Sequence, residues 1–372
     1  MVNTCALTLE AERKSRQQAN RAARRGLTFV SGCAVNLNAR QFGAEGVTAV
    51  AGSADRAARE IVDLLGGARP HACADDAPRA PGRTRAFLKV QNGCDARCAF
   101  CIIPTTRGAA ESRPLARVLA DARRRIAEGH PELVVTGINV GTYRDPDSGA
   151  DLADLVRILG RLDGLARLRV SSIEPGTVDD RLLAALAETP AAAPHLHIPL
   201  QSGDDGVLRA MRRSYSADGF RVAALRAREA LPGLNLTTDA IVGFPGESEA
   251  AYAATARLVE ELGVSKVHVF SYSPRPGTAA AAMADPVTVE DKRERSRRLR
   301  DLSDRLGLAH RIARVGGRDE VLVEKRLPDG VLTGLGADYS RFVLPADAGE
   351  PGALVPVAVA GVAGEHLEGR PL

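Results

Sequence analysis

The sequence contains no long apolar run and no strong excess of one charge. No stretch of its 372 residues approaches the roughly 18 consecutive apolar residues that a membrane-spanning helix needs. Residues Met1–Cys5 include neither the basic nor the apolar segment of a secretory signal. A net charge of +4 is too small to indicate a nucleic-acid-binding protein by itself. We therefore expect a cytoplasmic protein that does not contact a membrane.

Cysteine is also scarce, with six residues in the chain. In a cytosolic protein of this size, six cysteines favour metal or redox ligands over disulfides. Hydrophobic residues make up 45% and charged residues 26% of the sequence, which is typical of a globular protein. A chain of this length is too long for one ordinary core, so we expect two or three domains.

Positive charge is concentrated in two segments. Arg13–Arg25 contains six Lys and Arg residues and no acid, whereas Lys292–Arg314 is diluted by several acidic residues. A solvated helix face and an RNA-binding surface are both open for the first segment. A solvated face is favoured for the second.

The first region of the chain alternates helix and strand. We predict a helix over Glu10–Arg25, a buried strand over Leu27–Ser31 and a helix over Ser53–Leu65. The proline-containing tract Gly66–Gly82 is then typical of a linker.

The central region alternates short apolar strands with amphipathic helices. The predicted strands are Ala86–Gln91, Leu133–Thr136, Leu168–Ser172, His195–Leu200, Leu236–Gly243 and Lys266–Tyr272. The predicted helices between them are Leu115–Glu128, Leu152–Leu162, Asp179–Glu188, Ser216–Ala230 and Ser248–Leu262. Six such units in series predict a parallel sheet with right-handed crossovers. Because a closed TIM barrel has eight units, we expect an α/β fold with an open, partial (β/α)6 barrel.

The last region is rich in short strands. After a charged helix over Val289–Ala313, four segments alternate apolar and polar residues, namely Asp319–Lys325, Gly330–Leu335, Arg341–Leu344 and Leu354–Ala360. This pattern predicts a small antiparallel β-barrel. The predicted domains are therefore residues 1–78, 79–314 and 315–372.

Three cysteines follow the first strand of the central region. Cys94, Cys98 and Cys101 have the spacing Cys-x3-Cys-x2-Cys, and three thiolates so close can bind one iron–sulfur cluster. A fourth iron without a cysteine ligand could chelate the amino and carboxylate groups of S-adenosylmethionine (SAM). An electron delivered there would cleave SAM to a 5′-deoxyadenosyl radical. A zinc site is disfavoured, because no histidine lies between Arg79 and Glu128.

The ends of the later strands could provide contacts to SAM. The candidate residues are Thr136, Gly137, Glu174, Gln201, Asp239 and Gly243. Ligands of parallel β/α folds bind at the carboxyl ends of the strands, where these residues lie. His195 and His197 point to the same face of one strand, and we expect them to pack or form hydrogen bonds rather than bind a metal as a pair.

Several motifs resemble those of the radical SAM methylthiotransferases, and they cover nearly the whole chain. They are Asn3–Cys5, Ser31–Cys33, Gly93–Arg113, His195–Gly203, Met211–Tyr215, Ile241–Glu247 and Ser271–Thr278. The resemblance implies a 4Fe-4S cluster on Cys94, Cys98 and Cys101, and a second, auxiliary 4Fe-4S cluster bound by an N-terminal domain through Cys5 and Cys33. It also implies a C-terminal TRAM domain that binds RNA. A monomer reduced by a protein such as flavodoxin or ferredoxin is expected.

Three further segments resemble one branch of this family. Ala11–Gln17, His195–Gly203 and Val267–Ser273 are similar to the branch that modifies threonylcarbamoyladenosine in tRNA. The resemblance implies methylthiolation at C2 of N6-threonylcarbamoyladenosine at position 37, in the anticodon loop of tRNA. Two alternatives stay open: activity on isopentenyladenosine, and an RNA-binding homologue that cleaves SAM but cannot transfer sulfur.

The sequence departs from the family pattern at its N-terminus. The resemblance implies a strand and a Gly-Cys motif some tens of residues before Asn3, but the chain starts at Met1. A miscalled start and a lost first unit are both consistent with this beginning. Only Cys5 and Cys33 of three expected ligands are then present, and Cys73 in the linker is expected to be incidental. We expect the chain as written to hold one stable 4Fe-4S cluster, with an incomplete second one and weak methylthiolation.

Overall fold

The computed structural model describes residues 1–52, 54–66 and 84–372. The chain forms two compact units, each built from several segments. The first unit comprises Met1–Pro81, Gly93–Ala110 and Ser273–Ala284; the second comprises Gly82–Asn92, Glu111–Tyr272 and Asp285–Leu372. The domain limits predicted from the sequence stay a prediction. Ser53, Cys73 and the predicted linker beyond Gly66 lie outside the described residues.

The first unit contains a three-stranded parallel sheet in the order β1-β2-β3. Its strands are β1 (Val2–Thr4), β2 (Thr28–Gly32) and β3 (Val47–Ala49). Its helices are α1 (Leu9–Ala23), α2 (Cys33–Leu37), α3 (Ala54–Leu64) and α4 (Ile103–Arg107). The predicted first helix and first strand are thus found within two residues of their predicted ends. The strands β1 and β3 were not predicted, because three residues are too few to show an alternating pattern.

Helix α1 has a well-defined start. The Thr8 side chain accepts a hydrogen bond from the Ala11 amide at 3.1 Å, which satisfies one of the free backbone donors of the first turn. Glu10 and Glu12 in that turn, and Arg21 in the last turn, complement the helix dipole. The core under α1 is small and is formed by Val2, Ala6, Ala19, Val30, Cys33, Ala34, Val35 and Phe42.

The second unit contains the predicted partial barrel. Its strands are β4 (Arg85–Lys89), β7 (Glu132–Thr136), β8 (Arg167–Val170), β9 (His195–His197), β10 (Asn235–Val242) and β11 (Lys266–Ser271). Two further strands, β5 (Gln91–Asn92) and β6 (Glu111–Ser112), form a short antiparallel pair. The six barrel strands run in parallel as the sheets β4-β7-β8 and β9-β10-β11. A bridge between Leu168 and Ala192 joins the two sheets. The (β/α)6 prediction is confirmed.

Helices cover the outer face of this barrel. They are α5 (Leu115–Ala127), α6 (Leu152–Leu159), α7 (Asp180–Ala187), α8 (Asp205–Ala210), α9 (Ala217–Ala230), α10 (Glu249–Glu261) and α11 (Val289–Arg314). Five of them match predicted helices and α11 matches the charged helix, whereas α8 was not predicted. Buried strand residues such as Leu88, Leu133, Val135 and Leu236 pack against the helices. In the described parts of the chain, no helix combines the length and apolar character required to cross a membrane.

The C-terminal strands close into a barrel. They are β12 (Arg318–Arg326), β13 (Leu332–Leu335), β14 (Arg341–Leu344), β15 (Leu354–Ala363) and β16 (His366–Pro371), in the ring order β12-β13-β14-β16-β15. Four pairings are antiparallel, as predicted, but β14 and β16 are parallel. A closed ring of five strands cannot alternate direction throughout, so one parallel pair is required. The strand β16 was not predicted. Its six residues include one glycine and one proline and show little alternation of apolar and polar residues.

Candidate active site

The three closely spaced cysteines lie in one loop of the first unit. Cys94, Cys98 and Cys101 are all partly exposed in the segment that leads to α4. The Cys101 amide donates to the Cys98 carbonyl at 3.1 Å, and the Cys94 amide donates to the Gly108 carbonyl at 3.1 Å. These two bonds fold the segment back on itself, so that the three thiols stay within one short loop.

A glycine closes the base of this loop. Gly93 has a φ of +67°, and a Cβ at this position would lie 1.8 Å from the Ala109 carbonyl oxygen. Only glycine fits, because it tolerates positive φ and lacks the atom that would clash. The Ala110 amide also donates to Asp95 at 3.0 Å. The two ends of the cysteine loop are therefore held against each other.

The other two described cysteines meet at a sheet edge. Cys5 follows β1, and Cys33 follows β2 as the first residue of α2. Because Thr4 is paired with Gly32 in a parallel ladder, the next residues leave the same edge on neighbouring strands. Such strands lie about 4.8 Å apart. Strand pairing thus brings together two cysteines that are far apart in the sequence.

Arg107 links the cysteine loop to Cys33 within the first unit. Its Nε donates to the Cys33 Sγ at 3.1 Å from the end of α4. The Asn36 side chain on α2 donates to the Thr106 carbonyl at 3.0 Å. Arg107 lies in one of the family-like motifs, but no role could be predicted for it because its partner lies 74 residues away.

The donor types at these two places fit iron–sulfur ligation. Thiolates are soft ligands that select iron–sulfur clusters or zinc. Three thiols in the Cys94–Cys101 loop would bind three irons of a cube and leave the fourth iron open. Cys5 and Cys33 provide two thiols for a second centre, and Cys73 lies outside the described residues.

A buried ion pair joins two segments of the first unit. The Arg275 guanidinium hydrogen-bonds to the Glu12 carboxylate, and both side chains are almost completely buried. The remaining Nε and Nη1 groups of Arg275 have no hydrogen-bond partner among the described residues. This pair fixes the Ser273–Ala284 segment to α1, and no local sequence pattern predicted it.

Two of the six predicted SAM contacts line a cavity in the second unit. Thr136 ends β7 and Asp239 lies on β10, and both side chains face the same space. Gln201 is beside them in the backbone ladder: its amide donates to the Asp239 carbonyl at 2.9 Å. Gln201 has a φ of +62°, an uncommon conformation for a residue with a side chain. The structure therefore places Thr136 and Asp239 on the wall of one cavity and Gln201 in backbone contact with β10.

The other three predicted contacts are held by local interactions. Glu174 forms an ion pair with Arg213, whose guanidinium also stacks on the Tyr215 ring. Gly137 directly precedes Ile138 and Asn139, whose backbone amides both donate to the Gln91 side-chain oxygen at 2.9 Å. Glu174 and Gly137 were predicted from their positions after strands, whereas their partners Arg213 and Gln91 were not predicted.

Gly243 is held beside a second buried ion pair. Its amide donates to the Glu247 carboxylate at 2.6 Å, and Arg295 binds the same carboxylate at 2.8 Å. Burial raises the pKa of Glu247 although Arg295 opposes this effect. Gly243 has a φ of +70°, and a Cβ there would lie 2.2 Å from the Lys292 side chain. The strand end that carries Gly243 is thus tightly packed.

The cavity has a volume of about 710 Å³ and is lined by inward-facing strand residues. These residues alternate with the apolar ones that pack against the helices, as the period of two in a strand requires. Four histidines line it, namely His195, His197, His268 and His310. No cysteine does so among the described residues that line it.

A hydrogen-bonded chain of side chains crosses this cavity. His195 Nε2 and His197 Nδ1 lie 3.1 and 3.0 Å from the Thr237 hydroxyl, and His197 Nε2 lies 3.2 Å from Asp239 Oδ1. Burial lowers the pKa of His195 to about 3, with the nearby Arg169 charge acting in the same direction. His195 and His197 therefore form hydrogen bonds, as predicted, and His195 is neutral at physiological pH.

Comparison with known proteins also indicates radical SAM chemistry. Residues 88–259 match the family described as Radical SAM superfamily. Two relatives are named threonylcarbamoyladenosine tRNA methylthiotransferase MtaB. The protein of Bacillus subtilis (strain 168) is 39% identical over 324 residues, which are 82% of this chain and 72% of the relative. The protein of Thermotoga maritima is 34% identical over 358 residues, which are 92% and 81% of the two chains.

A solved structure is similar in fold alone. The cobalamin-dependent SAM radical enzyme OxsB superimposes with a TM-score of 0.51 at 12% identity, covering 80% of this chain and 47% of that one. The two relatives exceed 30% identity over more than two thirds of their own length. The chain therefore belongs to the radical SAM methylthiotransferase family.

Proposed function

We propose that this protein is a tRNA methylthiotransferase that adds a methylthio group to C2 of threonylcarbamoyladenosine at position 37. The observation that carries this proposal is its 39% identity to a relative of that name, together with the cysteine loop inside the family match. Action on tRNA also favours the cytoplasm as its compartment.

In this proposal, Cys94, Cys98 and Cys101 hold the 4Fe-4S cluster of the radical reaction. When bound, a reduced cluster supplies the electron that cleaves SAM. The residues of the chain have a positioning role: Gly93 and the Cys94–Gly108 hydrogen bond keep the three cysteines within one short loop. A small reducing protein such as flavodoxin or ferredoxin is the proposed electron donor, and the active form is a monomer.

Cys5 and Cys33 are the proposed ligands of a second cluster. Their position on adjacent strand ends supports a shared centre, because both thiols leave the same sheet edge. Arg107 would donate to sulfur at this centre through its bond to Cys33. Its contact joins the two cysteine groups and suits a role in orienting Cys33.

Thr136, Gly137, Glu174, Gln201 and Gly243 are the proposed SAM contacts. All five lie at carboxyl ends of barrel strands or in the loops that follow, which is where parallel β/α folds bind ligands. The proposed domain limits remain residues 1–78, 79–314 and 315–372. The closed five-stranded barrel at the C-terminus is consistent with the expected TRAM-like domain.

The distribution of charge shapes the proposal for tRNA binding. Residues 315–372 contain five Lys and Arg against nine Asp and Glu, so the barrel as a whole does not attract phosphate. At the end of α1, Arg21, Arg24 and Arg25 are exposed and have no acidic partner among the described residues. We assign these three arginines to phosphate contacts, while RNA binding by the barrel stays a prediction.

Nucleoside analysis tests the reaction. The protein is reconstituted anaerobically and given SAM, a reductant and tRNA that carries either threonylcarbamoyladenosine or isopentenyladenosine. Mass spectrometry should detect the methylthio product of the first nucleoside only. Product from isopentenyladenosine alone would contradict the substrate, and SAM cleavage without either product would support the homologue that cannot transfer sulfur.

Charge reversal tests the tRNA surface. Changing Arg21, Arg24 and Arg25 to Glu should weaken tRNA binding. It should also lower the magnitude of the slope of the logarithm of the binding constant against the logarithm of the salt concentration by about 2 to 3. A control with the same change in charge reverses Arg293, Arg297 and Arg298 on α11, which are paired with acids. Equal loss of affinity in both variants would show that only the total charge matters.

A further inference from the structure

We propose that His197, Asp239 and His268 form a binding site for a divalent transition-metal ion in the cavity of the second unit. One ligand atom from each residue lies within 4.8 Å of the others. Nothing in the proposed methylthiotransfer reaction requires this ion, and the inference goes beyond it.

The three residues occupy inward positions on three neighbouring parallel strands. His197 is on β9, Asp239 on β10 and His268 on β11, and the ladder pairs Asp239 with His268. Ligands on strands are held more firmly than ligands on loops. Two imidazoles and one carboxylate are a donor set typical of zinc and ferrous ions.

The separation of two ligand atoms already fits a metal site. His197 Nε2 lies 3.2 Å from Asp239 Oδ1. In a tetrahedral site with bonds of about 2.0–2.1 Å, neighbouring ligand atoms are about 3.3 Å apart. His268 is exposed, and its ring centroid lies 5.5 Å from that of His197, so it has space to turn towards the ion.

A hydrogen bond fixes the orientation of His197. Its Nδ1 is bonded to the Thr237 hydroxyl, which leaves Nε2 directed at Asp239. Metal-binding histidines are usually oriented in this way through the nitrogen that does not bind the metal. Thr237 is in turn bonded to the buried His195, so the ligand is supported by a second layer of contacts.

The competing occupant is a proton between His197 and Asp239. A shared proton satisfies these two side chains but gives His268 no role. Within the described parts of the chain, His268 contacts the His197 ring and its side chain forms no hydrogen bond. Convergence of three donors therefore favours a metal ion over a proton. Three protein ligands would leave at least one coordination position open towards the cavity.

This assignment changes the expected role of Asp239. The sequence predicted it as a contact to SAM, whereas its Oδ1 faces His197 in the cavity. The carboxylate is therefore assigned to the metal ion.

Zinc binding to the reconstituted protein, with its iron–sulfur content intact, tests the site. The protein is dialysed against Zn²⁺, bound zinc is counted by mass spectrometry, and its ligands are identified by X-ray absorption at the zinc edge. We expect one zinc per chain with nitrogen and oxygen ligands at about 2.0–2.1 Å and no sulfur at about 2.3 Å. No retained zinc, or zinc bound only by sulfur, would overturn the proposal.

Variants link this zinc to the three residues. His268→Ala should lower zinc affinity by more than about tenfold, since loss of a supporting residue alone costs about 10- to 100-fold. His366→Ala in the C-terminal barrel is the control and should bind as the wild type does. If the circular dichroism spectrum shows that His268→Ala is unfolded, Asp239→Asn becomes the deciding variant for the metal site, because it keeps the side-chain volume. Unchanged affinity in the deciding variant would refute the site.

Discussion

The two compact units differ in the ligand atoms that they offer. All five described cysteines lie in the first unit, whereas the cavity of the second unit is lined by four histidines and by no cysteine among its described residues. Thiolates favour iron–sulfur clusters, and imidazole with carboxylate favours zinc, ferrous iron or protons. The first unit therefore offers ligands suited to iron–sulfur clusters, whereas the cavity of the second unit offers ligands suited to a single ion or a proton.

Loss of a loop cysteine should have the largest effect. Cys98→Ala removes one of the three proposed ligands of the radical cluster, so we expect 5′-deoxyadenosine formation from SAM to fall to background. Liquid chromatography of anaerobic reactions measures this product. Undiminished formation in the variant, at equal protein concentration, would remove Cys98 from the reaction.

The sheet-edge cysteines should give a different result. Cys33→Ala should remove any iron and sulfide bound at the second centre and abolish any methylthio product, while SAM cleavage is retained because the cysteine loop is intact. Iron and sulfide analysis with nucleoside mass spectrometry checks both results. If SAM cleavage is lost as completely as in Cys98→Ala, the two cysteine groups do not act separately.

The buried ion pair of the first unit should affect stability. Arg275→Met leaves Glu12 buried without its cation, and we expect the free energy of unfolding to fall by about 3–5 kcal/mol. Arg13→Met, which removes an exposed pair with Glu10, should leave stability unchanged within error. Urea denaturation followed by circular dichroism compares them. Adding Glu12→Gln to Arg275→Met should recover part of the loss, and its failure to do so would show that packing dominates.

The smallest effect is expected in the second unit, where the Asp338 carboxylate should make the free energy of unfolding depend on pH in acid. Burial alone would raise the pKa of Asp338, but the hydrogen bond from His310 and the charge of Arg314 outweigh it and hold this pKa well below its ordinary value of 3.8. Stability from this group is therefore present above pH 3.8 and lost as the pH falls through the folded-state pKa, by up to about 1.4 kcal/mol per pH unit.

Asp338→Asn should flatten this acid dependence of the free energy of unfolding. Asp329→Asn in a turn is the matched control, since Asp329 accepts one exposed hydrogen bond from the Val331 amide. Urea titrations of the cluster-free wild type and the two variants are made between pH 5 and the acid limit of folding. They measure the slope of the unfolding free energy against pH, which is set by the number of protons bound on unfolding. Identical slopes for wild type and Asp338→Asn would remove Asp338 from the acid response.

Local patterns predicted much of this fold. The strands β4 and β7–β11 and five of their helices were predicted because short apolar segments regularly alternate with amphipathic helical segments in this region. The loop of Cys94, Cys98 and Cys101 was found from spacing alone. The strands β1, β3 and β16 were missed because pairing with a neighbour, and not their own sequence, defines them.

The candidate sites divide in the same way. Cys5 and Cys33 could be named from a resemblance, but their adjacency depends on the pairing of Thr4 with Gly32. His268 lay in a quoted motif, yet its approach to His197 and Asp239 depends on the register of β10 and β11. A register shift of one residue would turn these side chains to the other face of the sheet.

The sequence by itself determined the order of strands and helices, the cysteine loop and the family. These features depend on residues within a few positions of each other, where spacing and periodicity act directly. Tertiary structure decided the Glu12–Arg275 pair, the contact between Arg107 and Cys33, and the group of His197, Asp239 and His268. Each of these joins residues from separate elements, and only packing and strand register set the distances between them.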